Sequence, residues 1–148
     1  MTKEDRQLLL KDLSTRLLYG VKVTTINPAA EFGVISGISI KGKISVRTKD
    51  ADIVFECTEV KPFLRPMSSM TEEEWEELNC LGYIVPLYDG CFGVDMRAYC
   101  KNSQPHYRRF SEFSTIEDWF NAHHFDYRGL IEKGLALEAP EGMYKMEE

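Results

Sequence analysis

Between Val21 and Cys57 apolar side chains fall on alternate positions, in short runs broken by turn-forming residues. β-Strands with one buried face have this period of two, and an amphipathic helix does not. The runs are Val21/Val23/Thr25, then Phe32/Val34 with Ile38/Ile40, then Ile44/Val46, then Ile53/Phe55/Cys57. They predict four short strands, the second covering residues 32–40. Asn27-Pro28 separates the first two, Lys41-Gly42 makes a hairpin between the second and third, and Lys49-Asp50 turns the third into the fourth. Gly33 and Gly37 mark bulges or sharp bends, the devices by which a small sheet curls. Residues 21–60 are therefore expected to form a curled antiparallel meander or small SH3-like barrel. That likeness is one of architecture and implies no function.

Before this sheet, Thr2 followed by Asp5 resembles a capping arrangement, and Leu9, Leu10, Leu13 and Leu17 recur at helical spacing until Gly20. A helix over residues 3–18 is expected to lay its Leu stripe on the sheet, because the period-two segments supply the apolar face that such a stripe must cover. After the sheet, residues 62–66 (Pro-Phe-Leu-Arg-Pro) read as an extended or turn segment leaving it, since proline restricts itself and its predecessor. Ser69 or Thr71 then caps a helix through about Asn79, with Glu72, Glu73 and Glu74 at the positive end of its dipole. Residues 82–100 read as a hairpin around Asp89-Gly90, with Pro86 confining its strand to an edge or a bulge.

Residues 102–109 read as a loop. Ser114 or Thr115 caps a helix carrying Ile116, Trp119, Phe120 and His123 on one face. Asp126 reads as the cap of a shorter helix with Leu130 and Ile131 ending at Gly134, and Leu135/Leu137/Ala139 as a final strand, with residues 141–148 fraying. The class is thus α+β. No repeat or linker divides the 148 residues, so a single domain is expected, with a helix-and-barrel part (1–66), a hairpin and helical part (67–140) and a tail.

The charge balance limits partners. Eighteen Lys and Arg against 24 Asp and Glu give a net −6, which disfavours non-specific binding to phosphate backbones or anionic lipid. No apolar run approaches the roughly 18 residues of a membrane span, and the first residues lack an apolar leader core, so a cytoplasmic protein is expected. Cys57, Cys80, Cys91 and Cys100 contain no C-x-x-C pair and read as free thiols, with no metal or other cofactor expected.

The densest polar cluster is residues 121–129. His123 beside Asp126 can form a base with its orienting carboxylate, and Arg128 can grip an anionic substrate. The plainer account makes the segment a joint between two helices, with His123 at a helix C-terminus, Asp126 as a cap and Arg128 paired with a carboxylate. His106, Tyr107, Arg108 and Arg109 mix basic and aromatic side chains that can stack on bases and neutralise phosphates, but the run is short and the chain acidic. No phosphate loop, dinucleotide fingerprint, nucleophile elbow or zinc-protease motif is present.

Two segments together, 60–74 (VKPFLRPMSSMTEEE) and 119–136 (WFNAHHFDYRGLIEKGLA), resemble a family of small uncharacterised proteins from prophages and mobile elements of Bacteroides-type gut bacteria. The resemblance implies a phage-associated accessory protein with a host or phage protein as partner, and brings no assigned activity; residues 80–113 correspond least. The reading that follows is a non-enzymatic interaction factor working through the barrel edge or the 82–110 hairpin. The alternatives are a small hydrolase or nucleotide-modifying enzyme using His123, Asp126 and Arg128, and a nucleic-acid-associated protein.

Overall fold

The computed structural model describes residues 1–28, 31–81, 84–88, 91–94 and 116–145, with backbone alone over 79–94. Helix α1 (Lys3–Arg16) starts with a reciprocal cap: Thr2 Oγ1 accepts from the Asp5 N–H at 3.0 Å, and the Asp5 carboxylate accepts from the Thr2 N–H at 3.3 Å. A 3-10 turn (Leu17–Tyr19) follows, and Gly20 at φ 69° reverses the chain into the sheet.

Strands β1 (Lys22–Thr25), β2 (Phe32–Ile38), β3 (Ile44–Arg47) and β4 (Asp52–Phe55) form the expected meander. The six-stranded sheet is completed by β5 (Val60–Leu64), antiparallel to β1, and by β8 (Leu137–Glu138), parallel to β5, in the order β4-β3-β2-β1-β5-β8. A separate antiparallel pair, β6 (Ile84–Tyr88) and β7 (Cys91–Val94), matches the two arms of the expected hairpin, with a register shift between Pro86 and Tyr88; its turn at 89–90 and residues 95–100 lie outside the described residues. Helices α2 (Glu72–Leu81) and α3 (Ile116–Ala122), with 3-10 turns at Cys57–Glu59 and Met67–Ser69, are the remaining regular elements among the described residues.

The sheet is open and mixed, not a barrel. Closure needs tilt and stagger accumulated from strand to strand. Here the five ladders of the sheet contain one register shift, between Ile35 and Gly37 in β2, and β8 occupies the side of β5 that closure would have required. Of the two glycines expected to bend β2, Gly37 lies at this bulge. Gly33 keeps regular register opposite Val23, and its role is close approach: a Cβ there would lie 2.4 Å from Val46 Cγ1 and 2.7 Å from Arg47 O. The strand also stops at Ile38, leaving Ile40 fully exposed in the hairpin.

Residues 62–64 stay in the sheet, against the expectation from their prolines. Ile26 N–H donates to Glu59 O, which sets the alternation of the β1–β5 ladder. Pro62, opposite Val23, then falls on a pair that exchanges no hydrogen bonds. Its nitrogen faces away from β1, and pairing with β8 begins one residue later at Phe63.

The Leu stripe of α1 covers this sheet as expected. Leu9 and Leu13 are fully buried with Val21, Val23, Ile35, Ile44, Val46, Val60 and Leu64, and Leu130 and Leu135 join the same core. A second cluster joins Leu78 of α2 to Trp119 and Phe120 of α3 and to Phe125, flanked by Met67, Met70 and Trp75. Fully burying each such side chain contributes about 1.5–3 kcal/mol.

Two expectations about the C-terminal part are corrected. Residues 127–134 form successive turns in place of a helix, the bonds running Gly134 N to Ile131 O and Leu135 N to Leu130 O. The tail up to Lys145 is docked, not frayed, because Tyr144 inserts its hydroxyl between β1 and β5.

Candidate functional site

The segment following α3 carries the polar cluster singled out in the sequence, and the sheet positions it. Arg65, just past β5, donates its N–H to His124 O at 2.7 Å and accepts at its carbonyl from Asp126 N–H at 2.8 Å, so residues 124–126 run beside it as a single parallel bridge. This seats Phe125 in the second core, parallel to the Trp119 ring at 5.8 Å. To make the turn, His124 adopts φ 62°, a left-handed conformation that side chains other than glycine rarely take.

The three sequence-selected residues do not converge. His123 stacks on Trp119 at 4.0 Å with Nδ1 2.9 Å from Trp119 O, and its Nε2 lies 3.9 Å from Glu77. Asp126 aims both carboxylate oxygens at backbone: Oδ1 accepts from Leu130 N–H at 2.8 Å and Oδ2 from Ile131 N–H at 2.9 Å. It thus caps a turn where the sequence suggested a helix. Arg128 reaches the opposite way, to Asp12 Oδ1 at 2.9 Å and Thr15 Oγ1 at 3.1 Å. Each of these polar groups is occupied in holding the chain. His106, Tyr107, Arg108 and Arg109 lie outside the described residues, as does Cys100; Cys57 is buried and free, its Sγ 3.1 Å from Gly42 O.

The structure adds an ion cluster that no motif announced. Asp12 and Arg16, one turn apart on α1, are both fully buried, with Nε to Oδ2 at 2.8 Å and Nη2 to Oδ1 at 3.1 Å. Arg16 Nη2 also donates to Phe125 O at 2.6 Å, tying α1 to the joint. Arg128 completes a triad of two guanidiniums on one carboxylate, its Cζ lying 4.6 Å above the Tyr127 ring. The spacing of Asp12 and Arg16 was visible in the sequence, but an i,i+4 ion pair ordinarily belongs to a solvated helix face. Its burial follows from Phe125 and Tyr127 docking over it.

Arg65 forms a second, partly exposed pair with Glu74 of α2 at 2.6 and 2.8 Å, its guanidinium 4.2 Å from the Phe125 ring. Burial works to raise the Glu74 carboxyl, but bonds from Arg65 and the Thr71 N–H outweigh it and hold the group below its ordinary range. Glu74 and Thr71 also cap α2 reciprocally, so Thr71 is the cap and Ser69 is not. His124 is pushed down to about 3 by burial and by the positive charges of Arg16, His123, Arg65 and Lys22. Its ring lies 3.7 Å from that of Tyr144, which burial pushes up to about 12 against the opposing effect of the Lys22 N–H.

Chemically, the cluster holds ions and aromatic rings in fixed geometry, and among the described residues no group of three metal-ligating side chains assembles. The other feature able to engage a partner is the outer side of β4, which pairs with no other strand among the described residues. An apolar groove of about 260 Å³ beside the start of α2 is lined by Met67, Met70, Thr71, Glu72 and Trp75. Among the described residues no helix is long and apolar enough to cross a membrane. No protein-family model, curated protein or solved structure matches the chain.

Proposed function

We propose that this is a non-enzymatic binding protein that takes a segment of another protein onto the open edge of its sheet at β4. The observation that carries the reading is the phase of that edge. Thr48 N–H donates to Ala51 O, so the pairs Val46–Ile53 and Ile44–Phe55 exchange the β3–β4 hydrogen bonds. The N–H and C=O of Asp52 and Val54 therefore point away from β3, the arrangement a partner strand pairs with. Val54 adds an exposed apolar side chain, while Asp52 is turned back to Arg47.

A phage-associated accessory role, with a host or phage protein as partner, is the form of this reading that the family resemblance suggests. The hydrolase alternative has less support, because His123, Asp126 and Arg128 face different ways and are each bonded within the fold.

Affinity capture from the producing cell tests the proposal when wild type is compared with Val54→Pro. Proline there removes one outward N–H and leaves the β3 ladder intact, as at natural edge positions. The partner is expected to be lost while the melting temperature changes by a few degrees at most. Retention of the same partner at wild-type levels by the variant rules the edge out.

A further inference from the structure

The C-terminal segment 140–145 is fixed to the body of the protein almost entirely through one residue. Its own hydrogen bonds, Met143 N to Pro140 O and Lys145 N to Gly142 O, are local turns. Tyr144 makes the crossing contacts: its Oη accepts from Lys22 N–H at 2.9 Å and donates to Phe63 O at 2.8 Å. Lys22 and Phe63 would form the next pair of the β1–β5 ladder beyond Val23 and Pro62, so the hydroxyl stands in for a direct bond between strands. Lys22 Nζ reinforces the contact by donating to Met143 O at 2.7 Å, and the Tyr144 ring lies flat on His124.

The geometry points to a proton-operated latch: when His124 becomes charged, Tyr144 leaves its slot and residues 140–145 lift from the sheet. This inference goes beyond binding at β4 and does not depend on it. The charged groups around His124 are Arg16 from α1, Lys22 from β1, Arg65 from the end of β5 and His123 from its own segment. The neighbouring carboxylates are engaged: Asp12 by Arg16 and Arg128, Glu74 by Arg65, and Asp126 by backbone N–H groups. His124 Nδ1 is buried without a hydrogen-bond partner among the described residues. A charged ring there has cations on several sides and little exposure to solvent, and the Tyr144 ring stacked on it is part of what covers it.

With the latch shut the proton is disfavoured until about pH 3, and with it open the ring returns toward its ordinary 6.5. Each pH unit lost between those values therefore favours the open form by about tenfold. The shift accumulates only across this window and is added to an opening equilibrium set by how tightly Tyr144 is held.

Amide hydrogen exchange followed by NMR, corrected for the intrinsic pH dependence of exchange, tests the latch on the full chain. Protection at the Lys22 amide is expected to fall about tenfold per pH unit below about 6.5, while the Val46 and Leu64 amides keep theirs. His124→Asn, which tolerates the left-handed conformation, is expected to abolish that slope. Tyr144→Phe, which keeps the stack and loses the hydroxyl, is expected to lower Lys22 protection at every pH and retain the slope. Lys22 protection that is flat from pH 7 to 4 overturns the inference. So does a slope that persists in His124→Asn, or one that the core amides share.

Discussion

Replacing Asp12 by Ala is expected to be among the most damaging single substitutions in the described structure, although Asp12 lies on a helix that looks like a simple amphipathic one. Asp12 and Arg16 are fully buried, and Arg16 Nη1 already lacks a hydrogen-bond partner among the described residues. Without the carboxylate, Arg16 keeps one acceptor, Phe125 O, for a charge that cannot reach water. Breaking a buried pair by removing one partner costs about 3–5 kcal/mol. A domain of this kind has about 5–15 kcal/mol in total, so about a fifth or more of its stability is at stake. The loss of Asp12 as partner to Arg128 adds little to this, since at 11% side-chain exposure Arg128 can turn toward Glu117, 3.9 Å away.

Removing both charges separates this account from simple loss of packing. The double variant Asp12→Leu with Arg16→Met replaces the ion pair by apolar groups of similar volume and leaves no uncompensated charge. It is expected to lie within about 2 kcal/mol of wild type, the residual cost reflecting Phe125 O without its donor. Urea denaturation followed by circular dichroism gives both values. Asp12→Ala costing under about 1 kcal/mol, or a double variant as unstable as the single, refutes the argument that an unpaired buried charge dominates.

Other expected outcomes can be checked the same way. Asp126→Ala strands the Leu130 and Ile131 N–H groups and is expected to cost about 2–4 kcal/mol, more than an ordinary helix cap, with Trp119 and Phe125 still packed by near-ultraviolet circular dichroism. Gly33→Ala forces a Cβ into Val46 and the Arg47 carbonyl and is expected to lower stability by about 1–3 kcal/mol, whereas Gly20→Ala meets no neighbouring atom and carries backbone strain alone. Glu74→Gln tests the Arg65 pair by its pH dependence. The folded carboxyl is depressed below its ordinary 4.5, so its contribution is present above that value and is lost as pH falls through the folded one. The variant is expected to be about 1 kcal/mol less stable at pH 7 and to converge on wild type in acid; a gap that persists there shows that the loss is one of packing.

The sequence determined the elements whose periodicity is local. The alternation from Val21 to Phe55 placed β1 to β4, the Leu spacing placed α1 on them, and Asp89-Gly90 lies between the paired strands β6 and β7. These patterns survive because a strand or helix with one apolar face has few ways to bury it. The polar joint was legible as a cluster and not as a geometry: Asp126 is a cap, but of a turn, and Arg128 pairs with Asp12, 116 positions away in the sequence.

What tertiary structure alone decided is of three kinds. The sheet stayed open because a two-residue strand from the far end of the chain takes the outer side of β5, and no local signal carries a parallel pairing of such separation. Pro62 stayed in a strand because the phase of its ladder left the missing N–H where no bond was needed. Asp12 with Arg16, and His124 with Tyr144, became buried polar contacts because elements remote in sequence closed over them. Periodicity reports which face of an element is buried, and it is silent about what covers that face.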